Sequence, residues 1–288
     1  LKIKYFKSGK KVFDWIIPSE WHVKNAYVLD QEGKKIIDFK KNNLHLMGYS
    51  MPVNKKVSKK ELLEKLFSSQ KVKNAIPYVT SYYKKNWGFC VSENFKKKLK
   101  NKKYKVHINS THKNGELKIA ESLIKGKKNK EIFFSTYFCH PSMANDNLAA
   151  VIVQSALIKY IKKKYKKTNF TYRFIFIPET IGSITYLSKN IEKLKKNVIG
   201  GYNLTCIGDE RNHSCMFTKY GRSPSDFALI EAYKSQNIKF KKYSFLERGS
   251  DERQYNSPGV DLPISSIFRT KYGCYPEYHT SLDNFDLV

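Results

Sequence analysis

The sequence predicts an α/β fold: a mostly parallel sheet with helices on both faces, interrupted by a smaller α+β unit. Three observations carry this. From about residue 114, apolar strands alternate with helical stretches, the rhythm of a parallel sheet covered on both sides. Residues 20 to 113 lack that rhythm and hold short strands with one short helix. At 288 residues, 41% hydrophobic and 14% aromatic, the chain is long and apolar enough for one large domain plus an insertion. The expected division is 1–19 and 114–288 for the main domain and 20–113 for the inserted one.

In the insertion, "HVKNAYVLDQEGKKIIDF" reads as two strands around a turn at Gly33. "SKKELLEKLF" reads as a helix capped by Ser58. "AIPYVTSYYKKNWGFCVS" is aromatic and β-prone, and "KYKVHINS" is a further strand. The aromatics Tyr78, Tyr82, Tyr83, Trp87 and Phe89 are expected to serve mainly as the insertion's own core, with a cleft lining as the other reading.

In the main domain, "ELKIAESLI", "EIFFSTYF", "TYRFIFIP", "VIGGYNLTCIG" and "LPISSIFRT" are the strands. "NLAAVIVQSALIKYIKKKYKK" reads as a buried helix with a basic exit. "TIGSITYLSKNIEKL" and "SPSDFALIEAYKSQN" are the other helices.

The net charge of +29, from 54 Lys and Arg against 25 Asp and Glu, raises the question of nucleic acid. The excess is mostly lysine, spread along the chain, and no nucleic-acid-reading motif accompanies it. A solvated basic surface is the expectation, and the oligomeric state stays open. Five cysteines without a C-x-x-C pair argue against a cysteine-rich zinc site and for reduced thiols, hence a cytoplasmic location. No long apolar span or signal pattern is present. The chain starts at Leu1 and stops at Val288, just after a candidate functional motif, so further segments at both ends are expected.

Ligands of open α/β sheets bind beyond the carboxyl ends of the strands. His140 and Asp146 follow "EIFFSTYF", Glu179 follows "TYRFIFIP", and Asp209 follows "YNLTCIG". Asp251 and Glu252 precede the last strand, and Glu277, Tyr278, His279 and Asp283 follow it. Each has a plain reading. His140 is then a loop histidine, Asp146 and Glu179 helix caps, and His279 a partner of Asp283. Their convergence on one sheet edge favours a site. Two imidazoles and a carboxylate with an open fourth position form a catalytic zinc set, which His140, Asp146 and His279 would supply. Glu179 would then act as general base on a metal-bound water. Thiol catalysis by Cys139 beside His140 is not expected, because neighbours on an extended strand point to opposite faces.

"STYFCHPSMANDNLA", "FIPETIGSITYL", "GSDERQYNSPGVDLPISSIFRT" and "YPEYHTSLDN" resemble the aminopeptidase-like zinc peptidases with an inserted domain. "VFDWIIPSEWHVKNAYV" and "IPYVTSYYKKNWGFC" resemble the entry to that insertion and its core. The main domain of this family is similar to co-catalytic zinc aminopeptidases and glutaminyl cyclases, and its members usually continue into a winged-helix-like domain. The resemblance implies His140, Asp146 and His279 as ligands and Glu179 as base. It also marks two departures. Thr180 and Thr205 stand where relatives carry metal-binding carboxylates, which leaves ligands for one zinc. The implied function is a zinc-dependent hydrolase of a peptide or amide bond in a small substrate. The alternative is a weak or inactive zinc- or ligand-binding protein of the same fold. Asp209, Asp251, Glu252, Glu277 and Tyr278 are the further candidates for holding substrate or supporting the ligands; among them Tyr278 could donate to an oxyanion, and Asp251, Glu252 or Glu277 could hold a substrate amine.

Overall fold

A computed structural model describes residues 1–288. The chain opens with β1 (Lys2–Lys7) and enters a separate sheet of β2 (Glu20–Leu29), β3 (Lys35–Asp38), β4 (Val53–Ser58) and β5 (Lys103–Lys113). It then builds the large sheet from β6 (Glu116–Ile124), β7 (Lys128–Tyr137), β8 (Phe170–Ile177), β9 (Val198–Leu204), β10 (Ser214–Met216), β11 (Lys241–Tyr243) and β12 (Ile264–Phe268). Short helix α1 (Lys59–Glu64) lies in the first region; α2 (Ala149–Lys164), α3 (Ile181–Asn197) and α4 (Pro224–Ser235) lie in the second.

The large sheet has the order β1-β6-β8-β7-β9-β12-β10-β11. Its four central strands, β8, β7, β9 and β12, run parallel. Beyond them the sheet is mixed, since β6 pairs antiparallel with β8 and β10 antiparallel with β12. The three-residue link between β6 and β7 is too short for a helical crossover, so β6 cannot join the parallel set.

Side-chain alternation along the strands sorts the core. Phe133 of β7 packs with Ile175 and Ile177 of β8 and with Ile184, Leu187 and Leu194 of α3. Phe134, one residue on, points to the other face and packs with Phe174, Leu204 and the α2 residues Ala150 and Ile161. Helix α2 buries only Ala150, Gln154 and Ile161. Ile152 and Val153 are exposed, so the expectation of a buried helix holds for one face alone. No helix is long and apolar enough to cross a membrane.

The sheet of residues 20–113, ordered β3-β2-β5-β4, is antiparallel throughout and shares no strand with the large one. It carries its own apolar cluster around Ala26, Val28, Ile37, Leu62, Phe89 and Val106. Gly33 makes the β2–β3 turn at φ +80°, a backbone region open to glycine at little cost. The Ser58 side chain accepts from the Glu61 amide and caps α1.

The stretch from Ala75 to Ser92 is not the strand its composition suggests. Only Phe89–Cys90 is extended into a short ladder. Phe89 is core and Trp87 packs against it. Tyr83 instead donates to the Ile16 carbonyl at 2.6 Å and meets Trp15 edge-on. Tyr82 stands against Tyr49, and Tyr78 against His140 and His279. None of the three tyrosines joins the apolar cluster of residues 20–113, and Tyr78 alone reaches the histidines at the edge of the large sheet.

Candidate metal centre

The carboxyl ends of the central strands place the titratable groups together. The ligand atoms of His140, Asp146 and His279 all lie within 4.8 Å of one another. His279 Nε2 is 3.0 Å from Asp146 Oδ2, and the two imidazole centroids are 4.9 Å apart. Asp146 is wholly buried. Its Oδ2 and His279 Nε2 are both buried without a well-directed hydrogen bond. Such orphaned polar atoms are costly in an apolar surround, and a cation would satisfy them.

Asp146 sits in a tight turn, Ala144–Leu148, ahead of α2, and its peptide bond to Asn147 is cis. Its side chain makes no cap bond, so the helix-cap reading does not describe it. Two distant residues shape the turn. Asp283 accepts from the Asn145 amide at 2.6 Å and from the Asp146 amide at 3.2 Å. It does not serve His279, the partner the plain reading gave it. Asn147 donates to Thr136 and accepts from the Cys206 amide, tying the turn to β7 and the end of β9.

The carboxylate's other oxygen, Oδ1, accepts from the Tyr137 hydroxyl, which also lies 2.7 Å from Thr205 Oγ1. Burial pushes the Tyr137 phenol well above its ordinary value, and the Asp146 charge adds to this. Burial would raise the Asp146 carboxyl as well, but His140 and His279 beside it outweigh that and leave it lowered. Burial lowers His140, which favours the neutral imidazole a metal requires.

Glu179 follows β8 and stands beside this group. Its Oε2 is 3.7 Å from His140 Nε2, and its Oε1 accepts from the Ser250 hydroxyl at 2.6 Å. Burial raises its carboxyl well above the usual range, with the nearby Asp251 and Asp146 charges adding to the effect. It caps nothing with its side chain. Thr180 follows at φ +63°, held by Asp251, which accepts from the Thr180 amide at 2.8 Å and from Ser183 Oγ at 2.7 Å.

The remaining candidates separate by position. Tyr278 stacks on His279 with centroids 3.9 Å apart. Asp251 stands behind Glu179 through Thr180 and Ser250. Glu252 secures the turn carrying Ser250, accepting from the Gly249 and Ser250 amides and from Tyr272. Asp209 accepts from Thr270 and from Asn145, so it braces the ligand turn from outside. Glu277 is engaged at the surface by both terminal nitrogens of Arg211, at 2.9 and 3.0 Å.

Cys139 departs from the strand argument. Strand β7 ends at Tyr137, so residues 139 and 140 are free to turn, and Cys139 Sγ lies 3.8 Å from His140 Nδ1. The sulfur also takes the Glu179 amide at 3.1 Å, and burial raises the thiol, which suits a structural group rather than a nucleophile. All five cysteines are free thiols.

Sequence reasoning missed Tyr137 and Ser250, and it placed Tyr78 only as a core aromatic or a cleft lining. Tyr137 ends the strand that leads into His140, whereas Ser250 and Tyr78 reach the site from distant segments, and no local spacing announces any of them. Tyr78 belongs to a strap, residues 76–81, laid across the ligand loop. Pro77 bridges to Thr280, the Tyr78 amide donates to the His279 carbonyl, and Ile76 and Ser281 exchange two hydrogen bonds.

Comparison with known proteins settles the family. A family model described as a domain of unknown function, DUF4910, matches residues 1–288. The chain belongs to that family. It is 46% identical over 286 residues to a Clostridium acetobutylicum protein, covering 99% of this chain and 64% of that one. That protein's name assigns it, provisionally, to polysaccharide biosynthesis and gives it an aminopeptidase-like domain. This chain thus spans 64% of that relative's length. A crystal structure from C. acetobutylicum, provisionally described as a peptidase, superposes with a TM-score of 0.95 at 44% identity, covering 100% of this chain and 67% of that one. A zinc aminopeptidase from Bacillus subtilis superposes with a TM-score of 0.67 at 15% identity, covering 100% and 80%. The DUF4910 chain therefore has the aminopeptidase-like fold.

Proposed function

We propose that this chain is a zinc-dependent hydrolase of a peptide or amide bond, aminopeptidase-like, with His140, Asp146 and His279 holding one zinc. The observation that carries the reading is the trio of ligand atoms within 4.8 Å, two of them buried and otherwise unpartnered. Two imidazoles and a carboxylate fit zinc and leave a position for substrate. Zinc held there would polarise a carbonyl and ease deprotonation of water near neutral pH.

The protein's own groups do the rest. Ser250 fixes Glu179 by Oε1, which leaves Oε2 on the His140 side to take the proton of the attacking water. The same oxygen then returns the proton to the departing nitrogen. Its raised carboxyl favours keeping that proton between the two transfers. The strap and Tyr278 wall the site and limit access of bulk water. We propose further that residues 20–113 form an inserted domain that contributes this wall. Their separate sheet and separate apolar cluster support it.

A second reading, zinc or ligand binding with little turnover, is favoured by Thr180 and Thr205. Neither supplies a carboxylate, and Thr205 is engaged with Tyr137. Glu179→Gln separates the two. The panel includes aminoacyl amides, small peptides and, given the relative's name, amides of amino sugars. Hydrolysis should fall about 10²- to 10⁴-fold while zinc content stays at one per chain. Wild type with zinc bound and no turnover across the panel would favour the second reading. Loss of zinc in the variant would place Glu179 among the ligands.

A further inference from the structure

Tyr137 stands out as a wholly buried phenol whose hydroxyl is spent on a candidate ligand. It lies at the end of β7, packed with Ile175, Ile177 and Ile181, so the ring has no room to swing aside. Its hydroxyl donates to Asp146 Oδ1 and contacts Thr205 Oγ1. Cys206 Sγ approaches the same oxygen at 3.8 Å and Thr205 Oγ1 at 3.5 Å. The two oxygens of Asp146 are therefore unlike. Oδ2 faces His279 and is unpartnered; Oδ1 is closed by a hydroxyl.

Two cations about 3.5–4 Å apart, as in two-metal hydrolytic sites, would share one carboxylate by using both of its oxygens. Each cation also needs anionic or neutral donors of its own. Oδ1 meets the Tyr137 hydroxyl and the Cys206 thiol, and Thr205 Oγ1 lies against both of these groups. The nearest of these points a proton at the oxygen the second cation would have to bind.

We propose that the Tyr137 hydroxyl, backed by Thr205, fixes the metal count of this site at one by occupying the place beside Asp146 Oδ1. This rests on the reading of His140, Asp146 and His279 as a metal site. It assigns Tyr137 a role that the three ligands do not: it keeps a second ion out even where a further carboxylate is offered at position 205.

The test is zinc stoichiometry, measured by elemental analysis after dialysis against a zinc buffer, in wild type, Thr205→Asp, Tyr137→Phe, and the double variant. Thermal melts confirm folding, and cobalt-loaded samples report coupled ion pairs by paramagnetic resonance. Wild type and each single variant should hold one ion. The double variant, with the hydroxyl gone and a carboxylate in its place, should hold two that are magnetically coupled. Two ions in wild type or in Thr205→Asp alone would overturn the proposal, since the hydroxyl would then exclude nothing. A folded double variant with a single ion would overturn it as well. Should the double variant fail to fold, Thr205→Asp alone still decides, one ion supporting and two overturning. Wild type with no ion would sink the metal reading itself and the proposal with it, a result distinct from the others.

Discussion

The backbone amide of Tyr78 donates to the carbonyl of His279 at 2.7 Å, and the Tyr78 ring meets the His279 imidazole edge-on at 5.2 Å. A residue of the 20–113 region thus holds a candidate ligand by both main chain and side chain. Tyr78 also stands 5.3 Å from His140. Truncation to Tyr78→Ala should weaken zinc binding by about 10-fold, the lower end for loss of a residue that orients ligands. Competition with a chromophoric chelator measures this. An unchanged affinity would mean that the ring is packing only.

His279→Ala should abolish most zinc binding and leave the apo fold nearly intact. The imidazole is partly exposed, the main-chain tie to Tyr78 survives the change and His140 stays beside Asp146, so most of the folding energy is kept. The apo melting temperature should move by no more than about 2–4 °C, the shift for about 1 kcal/mol in a chain of this size. Retention of full zinc occupancy would remove His279 from the ligand set.

Asp251 predicts a pH dependence. Burial pushes its carboxyl up to about 7, and Oδ2 has no partner. The folded state then holds a proton that the unfolded state, near 4, releases. Stability from this group is present below pH 4 and is lost as pH rises from about 4 through 7. Asp251→Asn should flatten that decline. Oδ1 of the amide still accepts from Thr180 and Ser183, so the turn is kept. Melting curves of both proteins between pH 4 and 8 provide the comparison, and parallel curves would contradict it.

Arg173 predicts a large stability effect away from the site. Its guanidinium meets Glu131 at 2.6 and 2.7 Å and also binds Glu121, all within the sheet. Arg173→Met would strand the buried Glu131 carboxylate, while Glu121 keeps Lys4 and Tyr186, and would cost about 3–5 kcal/mol. Urea unfolding measures it; a loss under about 1 kcal/mol would show that water reaches these groups more freely than their burial implies.

The strands and helices of the large sheet were legible because each carries a continuous local pattern. The switch from Phe133 to Phe134 between two core faces is visible in the apolar run of β7. Sheet direction at the edges was less legible, since the antiparallel placement of β6 depends on a partner, β8, that is distant in sequence. Within the site, His140, Asp146, Glu179 and His279 declare themselves by residue type at strand ends. Their supports do not. Asp283 reaches back 138 residues to the Asn145 amide, and Ser250 reaches 71 to Glu179. For the tyrosines of residues 78–83 the sequence left two readings open, and the cleft-lining one describes Tyr78. Composition says neither which surface an aromatic residue will meet nor that it will be covered, and Tyr82 and Tyr83 stay exposed.

The pairing of Asp283 with the Asn145 and Asp146 amides also orders events in time. Until residue 283 has left the ribosome, those amides lack their acceptors and His279 has only just appeared. The three candidate ligands cannot assemble during synthesis of the first two hundred residues, whatever else has folded by then. Closing a span of more than 130 residues is slow compared with forming the local helices, so ion capture by the proposed site would belong to the last stage of maturation. A nascent chain stalled short of residue 279 should be protease-resistant in the 20–113 region yet unable to retain zinc.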